Sequence, residues 1–84
     1  MDIEHRIRKI LNTDLFVETP ADEIGLDDSL RSVHGLDSLG FVELRVQCED
    51  LFDIHIDDDE FTPENFQSVH TVAELVRRLQ GANA

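Results

Sequence analysis

Eighty-four residues suffice for a single domain spanning 1–84 with one small core, and they leave little room for a deep pocket with its own catalytic constellation. Seven Lys and Arg against nineteen Asp and Glu give a net charge of −12, which repels phosphate backbones and anionic lipid surfaces and so excludes nucleic acid and membranes as expected partners. The same field raises solubility and steers the chain towards proteins with basic patches.

Ile3, Ile7, Ile10 and Leu11 form a helical stripe and predict an amphipathic helix from about Asp2 to Thr13. Between Asp14 and Leu36 the pattern dissolves. Pro20, Gly25 and Gly35 punctuate scattered apolar residues, among them Phe16, Ile24, Leu26, Leu30 and Val33, which reads as a long loop pinned to the core. A connection of that length is uncommon in a compact domain and is often functional. At its far end Asp37 is placed to cap a helix running from Ser38 to about Phe52, its carboxylate accepting from free amides of the first turn. Gly40 costs that turn some helix propensity.

Phe52, Ile54 and Ile56 alternate with Asp53 and His55, but no second strand is visible to pair with them, and the segment reads as an extended loop. Thr62 then caps a short helix that Pro63 opens. The last helix carries Val72, Leu75, Val76 and Leu79 behind a capping box of Thr71 and Glu74, and Gly81 ends it. The expected fold class is all-α: a small four-helix bundle of three longer helices and one short third helix, with a long loop between helices 1 and 2.

Little in this chain suggests catalysis. Cys48, the only cysteine, has no partner for an intramolecular disulfide and falls in an apolar helical setting, as a buried structural thiol would. His5, His34, His55 and His70 show no ligand spacing. The acidic run Asp57-Asp58-Asp59-Glu60 departs from a calcium loop, since Thr62 stands where glycine is needed. No metal site is expected. With no signal segment or membrane span, the cytosol is the expected compartment.

At 100° per residue the helix from Ser38 has two apolar faces. Phe41, Leu44, Cys48, Leu51 and Phe52 suit the core, whereas Leu39, Val42 and Val46 lie roughly opposite, flanked by Glu43, Glu49 and Asp50. An apolar stripe ringed by carboxylates suits transient docking; loops covering the stripe would account for it equally.

The run Gly35-Leu36-Asp37-Ser38-Leu39, continued by Val42-Glu43-Leu44 and Glu49-Asp50-Leu51-Phe52, resembles the modification motif and second helix of acyl carrier proteins. The resemblance extends over nearly the whole chain. Asp28-Ser29-Leu30 repeats the central tripeptide without a sustained helix behind it, so Ser29 is read as a loop residue. The resemblance implies a free-standing, monomeric carrier, not an enzyme. It implies 4'-phosphopantetheine attached to Ser38 by a phosphopantetheinyl transferase, with Asp37 and Leu39 completing the motif and Asp37 aiding transferase recognition. The first turn of a helix tolerates the new negative charge.

By the same resemblance Leu39, Val42, Glu43, Val46, Glu49 and Asp50 dock the transferase and the acyl-loading and acyl-processing enzymes through their basic patches. Gly40 and Arg45 depart from the family's acidic norm and point to dedicated partners. The absence of a Gly-Gly pair before the serine favours an acyl carrier over a peptidyl, aminoacyl or D-alanyl carrier, and the segment Phe61–Phe66 favours polyketide or related secondary metabolism. An unmodified acidic adaptor with the same fold is the alternative of another class.

Overall fold

The structure is a computed structural model that describes residues 2–82, with side chains as far as residue 81. Helix α1, Ile3–Lys9, starts at Asp2, whose carboxylate accepts from the His5 N–H at 2.7 Å. The helix widens into a π-turn over Ile10–Asp14, so the helical segment ends close to the residue that periodicity indicates. Ile7, Ile10 and Leu11 enter the core. Phe16 then takes a left-handed conformation, φ 59°, and the Val17 N–H returns to the Leu11 carbonyl at 2.9 Å, which reverses the chain.

The long connection satisfies much of its polar backbone through bonds to α1 and its π-turn and to the residues around the start of the last helix. A 3-10 turn, Ala21–Glu23, lies within it. Asn12 Nδ2 donates to the carbonyls of Val17 and Thr19, and Arg8 Nε donates to that of Ile24. Further along, the Leu30 N–H reaches the Gln67 carbonyl and the His70 N–H reaches the Leu26 carbonyl, both at 2.9 Å. Ile24, Leu30 and Leu36 are buried, as a pinned loop requires, but Phe16 and Val33 project into solvent.

Helix α2, Ser38–Phe52, buries Leu44, Cys48 and Phe52. Leu51 departs from expectation: it lies at the edge of the core face and remains 46% exposed, because one residue's rotation past Asp50 carries it only part-way to the core. Asp53 ends the helix in a left-handed conformation, and the Ile54 N–H bonds to the Glu49 carbonyl at 3.2 Å. Ile54 and Ile56 are buried with Asp53 and His55 outside, in an extended segment that pairs with no strand among the described residues.

Thr62 caps the next turn, accepting at Oγ1 from the Asn65 N–H while the Phe66 N–H bonds to its carbonyl. This is one helical turn, too short to count as a helix, and it packs Phe66 edge-on against Phe61 with ring centroids 5.0 Å apart. Helix α3, Val69–Ala82, begins earlier than the Thr71–Glu74 pattern implies. Ser68 and Thr71 form the reciprocal box instead, Ser68 N–H to Thr71 Oγ1 at 3.0 Å and Thr71 N–H to Ser68 Oγ at 3.3 Å. Val69 is fully buried, which draws the helix start one turn forward. Gly81 lies inside the last turn and does not end it. Helices α1 and α3 pack together, and Glu4 pairs with Arg77 across them at 2.6 Å. That hydrogen bond holds the Glu4 carboxyl below the usual glutamate range. The result is an all-α bundle of three longer helices with one short 3-10 turn.

Candidate functional site

The site is built at the junction of loop and helix. Gly35, at φ 70°, turns the chain in a conformation that favours glycine, and Leu36 then drops into the core. Asp37 is extended and caps α2, accepting from the Gly40 N–H at 2.8 Å. Gly40 suits the packing: a Cβ there would lie 2.7 Å from Leu36 Cδ1, so the buried Leu36 side chain would have to shift. Gly40 therefore answers to packing and not to partner choice. The structure uses it to admit Leu36 beneath the first turn.

Ser38 is the first residue of α2 and is exposed. Leu39, next to it, is 80% exposed. Val42 and Val46 continue that stripe, with Glu43 and Asp50 exposed beside them. No part of the described chain buries this face, so covering loops do not account for it. Phe16, 81% exposed, and Val33 add apolar surface from the loop near the start of α2, where both line a shallow cleft with Asp37 and Gly40. Sequence pattern hides these two, because an isolated apolar residue in a loop has no periodicity to show which way it points.

Glu49 and Arg45 sit on the flank of the helix and are engaged within the chain. Glu49 accepts from the Ile56 N–H at 2.9 Å and meets His55 Nδ1 at 3.4 Å. Arg45 donates to the Ile56 carbonyl, pairs with Asp58 at 3.1 Å and stacks over Phe61 at 4.9 Å. Together they clamp Ile56 by both backbone groups and hold the extended segment on α2. Arg45 is thus a structural cation and not a mark on the outward face.

Beside Ser38 opens a groove of about 570 Å³ between α2 and the turn that follows Phe61. Phe41 and Val42 form one wall, Phe61, Pro63 and Phe66 the other, and Arg31 and Ser32 lie at the loop end. Ser29 also borders it but is half-buried, its Oγ accepting from the Ser32 N–H at 3.0 Å. Cys48 is fully buried, and burial, with the neighbouring Glu49 charge, pushes its thiol up to about 12. It is a packed side chain without nucleophilic character. Among the described residues no group of three or more His, Cys, Asp or Glu is placed to hold a metal ion, and no helix is long and apolar enough to cross a membrane.

The site thus combines an exposed serine at a capped helix start with a groove and an acidic apolar face. Residues 5–79 match the family model described as the phosphopantetheine attachment site. The chain belongs to that family. It is 38% identical over 82 residues to a D-alanyl carrier protein of Streptococcus uberis, covering 98% of this chain and 100% of the relative. A D-alanyl carrier protein of Streptococcus mutans is 34% identical over 82 residues, with the same coverage. Aminoacyl carrier protein 1 of Bradyrhizobium diazoefficiens is 38% identical over 84 residues, covering 99% of this chain and 92% of the relative.

The protein is therefore a phosphopantetheine-dependent carrier and catalyses no reaction of its own. None of the three relatives is named for polyketide synthesis. The arm, when attached, supplies a terminal thiol on which acyl groups are held as thioesters. The residues present fit such a group: Ser38 offers an exposed hydroxyl, and the groove leaves space beside it. Membership of the family implies a phosphopantetheinyl transferase and acyl-processing enzymes as partners.

Proposed function

We propose that this protein is an aminoacyl carrier, with the arm on Ser38 and an amino acid, D-alanine the first candidate, held through its carboxyl group as a thioester. End-to-end similarity to D-alanyl and aminoacyl carriers is the observation that carries this reading. Ser38 is favoured over Ser29 because it is exposed and stands at the capped start of α2, whereas Ser29 is tied into a loop turn. Forming a thioester from a free carboxylate needs prior activation, so one partner is an enzyme that activates the amino acid. Leu39, Val42, Glu43, Val46 and Asp50 make the docking face. Glu49 contributes at its edge, since its carboxylate is shared with Ile56.

Intact mass after co-expression with a broad-specificity phosphopantetheinyl transferase tests the site. Wild type and Ser29→Ala gain the mass of the arm, and Ser38→Ala gains nothing; a gain retained in Ser38→Ala sinks the assignment. Recovery of the native thioester by mass spectrometry tests the cargo. An amino acid is expected, and a malonyl or polyketide group would overturn the aminoacyl reading.

A further inference from the structure

The phosphodiester created on Ser38 adds negative charge to a chain already at −12, next to Asp37. Most arginines near α2 and α3 are committed elsewhere. Arg45 pairs with Asp58, Arg77 with Glu4 and Arg78 with Glu60. Arg31 enters no ion pair among the described residues. Its guanidinium lies over the Phe41 ring, 5.6 Å from the centroid, and it is the only cation among the described residues lining the groove that contains Ser38.

Phe41 follows Ser38 by three residues, so the two side chains are neighbours on one helix face, about 5–6 Å apart at Cβ. A guanidinium resting on Phe41 is within a short swing of anything bonded to Ser38 Oγ. No ion pair among the described residues holds its N–H groups, and the planar edge of a guanidinium matches two phosphate oxygens at once. Phe41 also restricts the side chain beforehand, which lowers the entropy lost when the pair forms. We infer that Arg31, stacked on Phe41 in the groove beside Ser38, is the chain's own counter-ion for the phosphodiester of the attached arm. In this role it fixes the first bonds of the arm against α2 while the thiol end remains mobile.

The inference rests on attachment at Ser38, and the experiment separates the two. Wild type, Arg31→Gln and Arg31→Lys are each modified and checked by intact mass; a wild type that gains no mass overturns both readings. On the modified proteins, phosphorus NMR reads the phosphodiester and the Arg31 Nε–H resonance reads the guanidinium. The Arg31 resonance is expected to move between unmodified and modified wild type. The phosphorus signal is expected to move in Arg31→Gln and to return only part of the way in Arg31→Lys, which restores the charge without the planar edge. Modification should also lower the melting temperature by about 1–8 °C more in Arg31→Gln than in wild type, the size expected of one exposed charge pair in a domain this small. An Arg31 resonance identical in both wild-type forms, or a phosphorus signal unmoved by Arg31→Gln, overturns the inference while leaving Ser38 as the attachment site.

Discussion

The chain contains Asp-Ser-Leu twice, and the structure treats the two copies in opposite ways. In Asp28-Ser29-Leu30 every side chain turns inward or sideways. Asp28 accepts from the Gly25 N–H at 2.9 Å and from His34 Nε2 at 3.2 Å, Ser29 caps a loop turn, and Leu30 is fully buried. In Asp37-Ser38-Leu39 only Asp37 is spent on structure, as the cap of α2, while Ser38 and Leu39 face solvent. Identical side chains thus hold a loop together in one place and leave a serine and a leucine open to solvent in the other. What differs is the segment that follows: a brief turn closed by Gly35 in the first copy, a fifteen-residue helix in the second. The helix fixes its first residues on the outside because its core face is taken by Leu44, Cys48 and Phe52.

Substitutions placed in pairs across the two copies separate the roles. After the all-or-none mass gain at Ser38, the largest effect is expected at the leucines. Leu30→Ala should cost about 2–5 kcal/mol in urea unfolding, as for a fully buried side chain, and Leu39→Ala within about 0.5 kcal/mol. Leu39→Ala should instead slow modification by the transferase. Equal costs at the two leucines would remove the distinction. Asp37→Ala should cost about 0.5–2 kcal/mol through loss of the cap, and Asp37→Asn should recover most of it; an unaffected unfolding midpoint in Asp37→Ala would mean that the cap carries no weight.

The smallest effect is a pH dependence at Asp28. The Gly25 N–H first, and then His34, hold its carboxyl below the ordinary aspartate range. A carboxyl with a depressed folded pKa stabilises the fold fully above its unfolded pKa, and that stabilisation is lost as the pH falls below about 4. Unfolding of wild type and Asp28→Asn should therefore differ most near neutrality and converge in acid. A gap that stays constant across the titration would show that the charge of Asp28 is irrelevant.

Much of this was legible in the residue pattern. The helix from Ser38 to Phe52, its Asp37 cap, the Thr62 turn and the pinning of Ile24 and Leu30 all follow from spacing, because capping and amphipathicity are local. Leu51 sits part-way round from the core face, and the start of α3 falls where two local patterns compete. Thr71-Glu74 and Ser68-Thr71 are both plausible boxes, and only the burial of Val69 selects the second. The preference for polyketide metabolism rested on differences in the Phe61–Phe66 segment, which the structure uses for a packed aromatic pair.

By itself, then, the sequence determined an all-α acidic carrier with one serine at the head of a two-faced helix. Local periodicity, capping chemistry and net charge are properties of neighbouring residues and of composition. Only the tertiary structure decided which functions the flanking residues serve. Arg45 and Glu49 grip Ile56, Gly40 makes room for Leu36, and Arg31 lies over Phe41 beside the serine. Most of those contacts join segments brought together by the fold, and the direction of a long polar side chain depends on what the folded chain places within its reach.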